Sequence, residues 1–226
     1  QMLRLNEPFI QVYAPTRPRA EEQFGSFGTV VAAASEPGRL VTNGMSQYSR
    51  NERNANAAIV VGIEPERDYP GAVLAGIDLQ RKLETAAFAL GGSDYSAPAQ
   101  RVEDFLANRP STVLGVVKPS YRPGVKLVNL AELLPDFANE ALREAIVAFD
   151  RQVKGFAMKD ALLTGVETRT SSPISIRRGK DYQSINTKGL YPAGEGAGYA
   201  GGILSAGIDG IKVAEAIALD LLSAPD

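Results

Sequence analysis

The chain of 226 residues contains no cysteine and no histidine. Without cysteine there is no disulfide, no thiolate nucleophile and no Cys-ligated metal. Without histidine the commonest general base and metal ligand is missing, which excludes a Ser-His-Asp triad and a His-ligated zinc site. No apolar run approaches the roughly 20 residues that a membrane-spanning helix needs. The opening residues Gln1 to Glu7 lack the charged and then apolar layout of a secretory signal, so a cytoplasmic protein is expected. A net charge of −2 and a pI near 5.4 argue against a nucleic-acid surface. Hydrophobic residues make up 44%, ordinary globular composition for one large domain or two small ones. Any chemistry must therefore use Tyr, Lys, Arg, carboxylates, backbone amides or a borrowed cofactor. A cofactor is the economical answer.

The first 65 residues read mainly as strands. Phe9 to Tyr13, Thr29 to Ala34 and Ala57 to Ile63 are β-rich runs, and Pro37-Gly38 marks a tight turn. The polar stretch Thr42 to Asn51 reads as a loop, either a solvated connection or, with Tyr48 among its donors, the wall of a ligand pocket. From Ala72 to Leu90 the pattern is helical, with Leu79, Leu83, Ala86 and Leu90 on one face and Gly91-Gly92 as the stop. A short helix is expected over Ala99 to Ala107 and a strand over Thr112 to Val117. Lys118 to Gly124 is a stiff loop, because two prolines fix φ there. Asn129 is placed to cap a short helix ending before Pro135. A longer helix follows, with Phe137, Leu142, Ile146, Phe149 and Val153 on its apolar side.

After Gly165 the character changes, and Gly, Ser and Thr become frequent. Leu190 to Ala193 reads as a short buried strand, followed by Gly194-Glu195-Gly196-Ala197-Gly198-Tyr199-Ala200-Gly201-Gly202. A long helical pattern then runs to the end, with Leu204, Ile208, Ile211, Ala214, Ala218 and Leu221 as its core stripe. Strand, glycine turn and helix N-terminus make a corner that favours anions, because first-turn N–H groups point outward and the helix dipole adds partial positive charge. Gly196, Gly198 and Gly201 satisfy G-x-G-x-x-G, yet the usual dinucleotide fingerprint opens a β-α-β unit. Only 24 residues follow Gly202, almost all helical, so the second strand has no room. The alternative is structural: a tight turn beside close packing, with Gly207, Gly210 and Ala214 forming a small-residue face.

The run Gly189 to Ile203, continued through Ser205 to Ile217, resembles the closing motif of the uncharacterised FAD-dependent dehydrogenases, distant relatives of the glutathione-reductase-like flavoproteins. Leu163 to Pro173, Pro119 to Gly124 and Leu40 to Ser46 are similar to the same family. The resemblance implies an α+β (or α/β) chain, with a mixed sheet and packed helices as a substrate-side domain and a carboxy-terminal strand-turn-helix belonging to an FAD-binding domain. It divides the chain into an amino-terminal segment 1–23, a substrate-side domain 24–160 and a carboxy-terminal portion 161–226. It implies a parent flavin-dependent oxidoreductase, with Gly194, Glu195, Gly196, Gly198, Tyr199, Gly201, Gly202 and Ile203 along FAD. Arg169, Thr170, Ser171, Ser172 and Tyr48 would face an unknown small-molecule substrate; for Arg169 the alternative is a plain ion pair.

Two departures from the family pattern stand out. Gln1 to Glu22 contains no dinucleotide-binding turn, so the amino-terminal dinucleotide fold of the family is missing from this sequence. The isolated chain is therefore expected to bind FAD weakly or not at all. The stretch Gln23 to Gly28 lacks the cysteine that relatives often carry there. The rival reading is a non-catalytic module that holds a small anionic ligand.

Overall fold

The computed structural model describes residues 3–5, 9–14, 28–49 and 51–223. The stretch Gln23 to Phe27 and most of Gln1 to Glu22 lie outside the described residues. The elements in chain order are β1 (Leu3–Leu5), β2 (Phe9–Ala14), β3 (Gly28–Ala32), β4 (Thr42–Ser46), β5 (Ala57–Gly62), α1 (Pro65–Asp68), α2 (Ala75–Leu90), β6 (Ala97–Arg101) and α3 (Val102–Leu106). They continue with β7 (Val125–Leu127), a 3-10 turn at Leu130–Glu132, α4 (Asp136–Gln152), β8 (Leu162–Glu167), β9 (Ile174–Ile176) and α5 (Ile203–Ser223). Helices and strands are mixed, as an α+β fold requires.

The chain divides into two compact units. The strand-rich unit comprises Ile10–Val61 and Gln80–Thr168, and the glycine-rich unit comprises Gln1–Phe9, Gly62–Leu79 and Arg169–Asp226.

The strand-rich unit is organised by a mixed sheet in the order β5-β2-β8-β6-β7. β8 pairs antiparallel with both β2 and β6, and β6 pairs parallel with β7. Every residue of β8 is buried. A strand covered on both faces reads as a continuous apolar run, which is what Leu162-Leu163 and Val166 supply. Ala99, Val117 and Leu162 form one core cluster, with Val125, Leu127 and Met158 packed against it. β3 and β4 form a separate antiparallel hairpin.

Four segments differ from the structure expected of them. Ala97–Arg101 is a strand rather than the start of a helix, and the helix shortens to α3. The alanines have high helix propensity, but flanking strands on both sides override it. Pro98 is tolerated because β8 begins to pair only at Ala99, so its missing N–H costs no ladder bond there. Buried Gln100 helps to hold this strand: its Nε2 donates to Arg109 O at 2.7 Å and its Oε1 accepts from Leu130 N at 2.8 Å. Thr42–Ser46 is a strand, β4, so only the later part of the polar stretch is a turn. Thr112 to Val117 forms no strand. Val113 and Val116 stand exposed, and an apolar run without a neighbouring strand has no ladder to join. Leu190 to Ala193 is likewise not a strand.

Two helices lie where they were expected, although Phe149 on the expected apolar side of α4 is exposed. α2 ends at Leu90 before Gly91-Gly92, and α4 buries Leu142 and Ile146. Asn129 caps the 3-10 turn, its side chain accepting from Ala131 N at 3.1 Å.

Candidate functional site

The glycine-rich segment lies within one unit, against β9 and α5. Leu190 to Ala193 has no regular secondary structure, and two of its carbonyls are taken by non-strand donors: Ser184 N donates to Leu190 O at 2.8 Å, and Arg178 Nη1 donates to Pro192 O at 2.6 Å. Pro192 has no N–H to offer a ladder.

Arg178 and Asp209 fasten this segment to α5. The Asp209 carboxylate accepts from Arg178 Nη2 at 2.5 Å and from Nη1 at 2.9 Å, a two-pronged pair. Asp209 Oδ2 also accepts from Gly194 N at 2.8 Å, so one carboxylate ties the arginine, the glycine turn and the helix together. The guanidinium lies 3.7 Å over the Tyr199 ring and 4.7 Å from the Tyr182 ring. The Tyr199 hydroxyl accepts from Arg178 N and donates to Ile176 O, both at 3.0 Å. Tyr199 is thus a strut of the turn.

The paired guanidinium and the Gly194 N–H hold the Asp209 carboxyl below the usual carboxylate range. A carboxyl with a lowered native pKa stabilises the fold above its unfolded value, near 3.9, and loses that contribution as pH falls through the native value. Wild type should therefore lead Asp209→Asn in urea unfolding at pH 7, and the gap should narrow steadily below about pH 4. A gap independent of pH would contradict this role.

The glycines of the turn are not equivalent. Gly198 has φ +78°, and a Cβ on it would meet Ile174 O at 2.5 Å and Ser175 Cα at 2.7 Å. Its lack of a side chain serves the turn's own packing against β9. Gly196 has no atom within 4 Å of its Cβ position, and Gly201 meets only Ser171 Oγ at 3.5 Å. At those two positions the backbone is bare toward open space.

Gly202 receives the first helical bond of α5, from Ala206 N at 2.8 Å, and so occupies the N-cap position. A Ser, Thr, Asp or Asn there would spend its side chain on the first-turn N–H groups. Glycine has none, and no side chain among the described residues takes the amides of Ile203, Leu204 and Ser205. Ser205 Oγ accepts from Gly202 N at 3.2 Å, which fixes the entry to the helix.

Of the residues expected on the substrate side, Arg169, Thr170, Ser171 and Ser172 fall in this unit, and Ser171 stands beside Gly201. Thr170 Oγ1 is a buried hydroxyl with no hydrogen-bond partner among the described residues. Ser172 Oγ turns inward to donate to Ile174 O at 2.8 Å. Glu195 is partly buried, and burial raises the pKa of its carboxyl. Tyr48 belongs to the strand-rich unit, fully exposed on a turn. Sequence reasoning missed Arg178 and Asp209. The available signal was Asp209 itself, the single charge in the first nine residues of α5. Among the described residues no group of three acidic side chains is arranged to hold a metal ion.

α5 departs most from expectation. Its expected core stripe is exposed: Leu204 at 82%, Ile208 at 55%, Ile211 at 62% and Leu221 at 71%, with Leu222 at 84% close by. Val213 is the buried residue on this helix, on the side that also carries Asp209. Among the described residues no helix is long and apolar enough to cross a membrane.

The bare backbone at Gly196 and Gly201, the N-terminus of α5 and the Thr170 hydroxyl, which has no partner among the described residues, all fall in the glycine-rich unit. A family model described as "FAD-dependent protein, C-terminal domain-like" matches residues 26–170, and the chain belongs to that family. The chain is also 55% identical over 190 residues to a protein of Clostridium beijerinckii called "Uncharacterized protein", an alignment covering 84% of this chain and 36% of that one. The chain thus spans little more than a third of that relative's length. The glycine-rich corner lies beyond the residues that the family model matches.

Proposed function

We propose that the chain is the carboxy-terminal part of a flavin-dependent oxidoreductase, and that its glycine-rich corner takes the flavin end of FAD. The carrying observation is the uncapped N-terminus of α5 beside the bare backbone of Gly196 and Gly201. A reduced flavin carries negative charge on its pyrimidine edge, and helix-terminal N–H groups stabilise such charge. Gly194, Glu195, Gly196, Gly201, Gly202 and Ile203 would lie along the cofactor, with Gly198 and Tyr199 shaping the turn that presents them. Arg169, Thr170 and Ser171 would orient the substrate, the Thr170 hydroxyl finding there the partner it lacks.

When bound, FAD would supply hydride or electron transfer that no side chain of this chain can perform. The chain's own part is electrostatic and positional. Its amides hold charge, its glycines admit the ring system, and the Arg178–Asp209 pair keeps the turn docked on α5.

The exposed face of α5 supports a second element of the proposal. Seven large apolar side chains turned to water, Ile203 among them at 94%, are more than a lone helix of a finished domain leaves bare. The segment that covers them would be the amino-terminal dinucleotide-binding part of the parent protein, which would also supply the adenosine and phosphate contacts. The test is flavin content after purification. The parent should carry FAD near one per chain, while the 226-residue chain alone should be colourless and bind added FAD at least a hundred-fold more weakly. A yellow isolated chain with parent-like affinity would sink the divided-site proposal.

A further inference from the structure

The geometry points to a second binding site, in the strand-rich unit: a cavity between the outer edge of β3 and the loop at Ser120 that takes a compact small molecule bearing a carboxylate or phosphate. The cavity measures about 600 Å³ and is lined by β3, by Glu52 to Asn54 and by Pro119, Ser120 and Arg122. That size lies within the usual range of about 300 to 1,000 Å³ for ligand pockets.

The backbone pattern decides what the cavity offers. Ala33 N donates to Val41 O at 2.9 Å, so the odd-numbered residues of this strand face β4 and the even-numbered ones turn N–H and C=O to the outer edge. Two of those outward donors are already used: Gly28 N donates to Asn54 O and Val30 N to Ser120 Oγ, both at 3.0 Å. An extended peptide therefore cannot add to β3 as a further strand, and the space suits a compact ligand. Exposed Ala32 keeps its outward N–H at the rim. Ser120 accepts from Val30, which leaves its own O–H to donate.

Charge then selects the ligand. Arg53 Nη2 donates to the carbonyls of Lys118 and Pro119, each at 3.1 Å, which fixes one edge of its guanidinium and leaves the other N–H groups unspent. Exposed Arg122 makes no hydrogen bond or ion pair among the described residues. Two guanidinium groups face one carboxylate, Glu52, so the lining carries net positive charge. Guanidinium forks, a hydroxyl and a backbone N–H are all donors, and an oxyanion is their complement. Nothing in this site draws on the glycine-rich corner, so its failure would leave the flavin proposal untouched.

Titrating the ¹⁵N-labelled 226-residue chain with inorganic phosphate, and separately with succinate, tests this at constant ionic strength against sodium chloride. Saturable amide shifts at Ala32 and Ser120 are expected with at least one probe, and the responding probe identifies the oxyanion. Arg122→Gln should weaken that binding at least ten-fold. Because Arg122 makes no hydrogen bond or ion pair among the described residues, the fold should survive the change, and an unchanged spectrum elsewhere will show that it is retained. Shifts that never saturate, that chloride reproduces, or that survive Arg122→Gln unchanged would overturn the assignment.

Discussion

Gly198→Val should destabilise the glycine-rich unit by about 2 to 5 kcal/mol, while Gly196→Val two positions away should change stability by no more than about 0.5 kcal/mol. A valine at position 198 would have to hold a positive φ, which costs a β-branched residue about 1 to 2 kcal/mol. Its Cβ would also press on the backbone of Ile174 and Ser175. Overpacking of that kind adds about 1 to 3 kcal/mol. Neither penalty applies at Gly196, where the space beyond the backbone is open. Urea unfolding of the two variants, followed by circular dichroism, checks both halves. Equal effects at the two positions would mean that the turn is packed differently.

The second large effect is expected on α5 and depends on which protein carries it. The triple change Ile208→Gln, Ile211→Gln and Leu222→Gln should be close to neutral in the isolated chain, since all three side chains already meet water. In the parent, the same change should remove about 1.5 to 3 kcal/mol for each side chain, the ordinary value of burying an aliphatic group. Comparing urea midpoints of parent and isolated chain measures the difference. A parent indifferent to the triple change would show that the amino-terminal segment does not cover this face.

Those two results bear on what the sequence made legible. Strong periodicity was readable: α2, α4 and α5 lie where their apolar spacing places them, and Asn129 caps the turn its chemistry predicts. Short segments that depend on partners were not. Ala97–Arg101 pairs with strands on either side, and no local pattern announces that an alanine-rich run will be a strand. Thr112 to Val117 has strand composition but no neighbour to pair with. The stripe on α5 was expected to lie in a core and is exposed instead, because an apolar pattern marks a face without saying what packs on it.

The site divides in the same way. The glycine run and the helix after it were legible as a turn leading into α5. The three glycines of the G-x-G-x-x-G spacing looked alike, because the sequence does not reveal which positions take a positive φ or lie against β9. The Arg178–Asp209 pair joins residues 31 apart in the chain, beyond the reach of any spacing rule. Its docking of Gly194 onto α5 gives the corner its shape.

The central claim is that bare backbone at the corner admits the flavin, and the flavin content of the full-length parent carrying Gly196→Val tests it most directly. The account predicts a folded protein, with circular dichroism unchanged, that purifies with at least ten-fold less FAD than wild type. A Gly196→Val parent that retains its full complement of FAD would contradict the account.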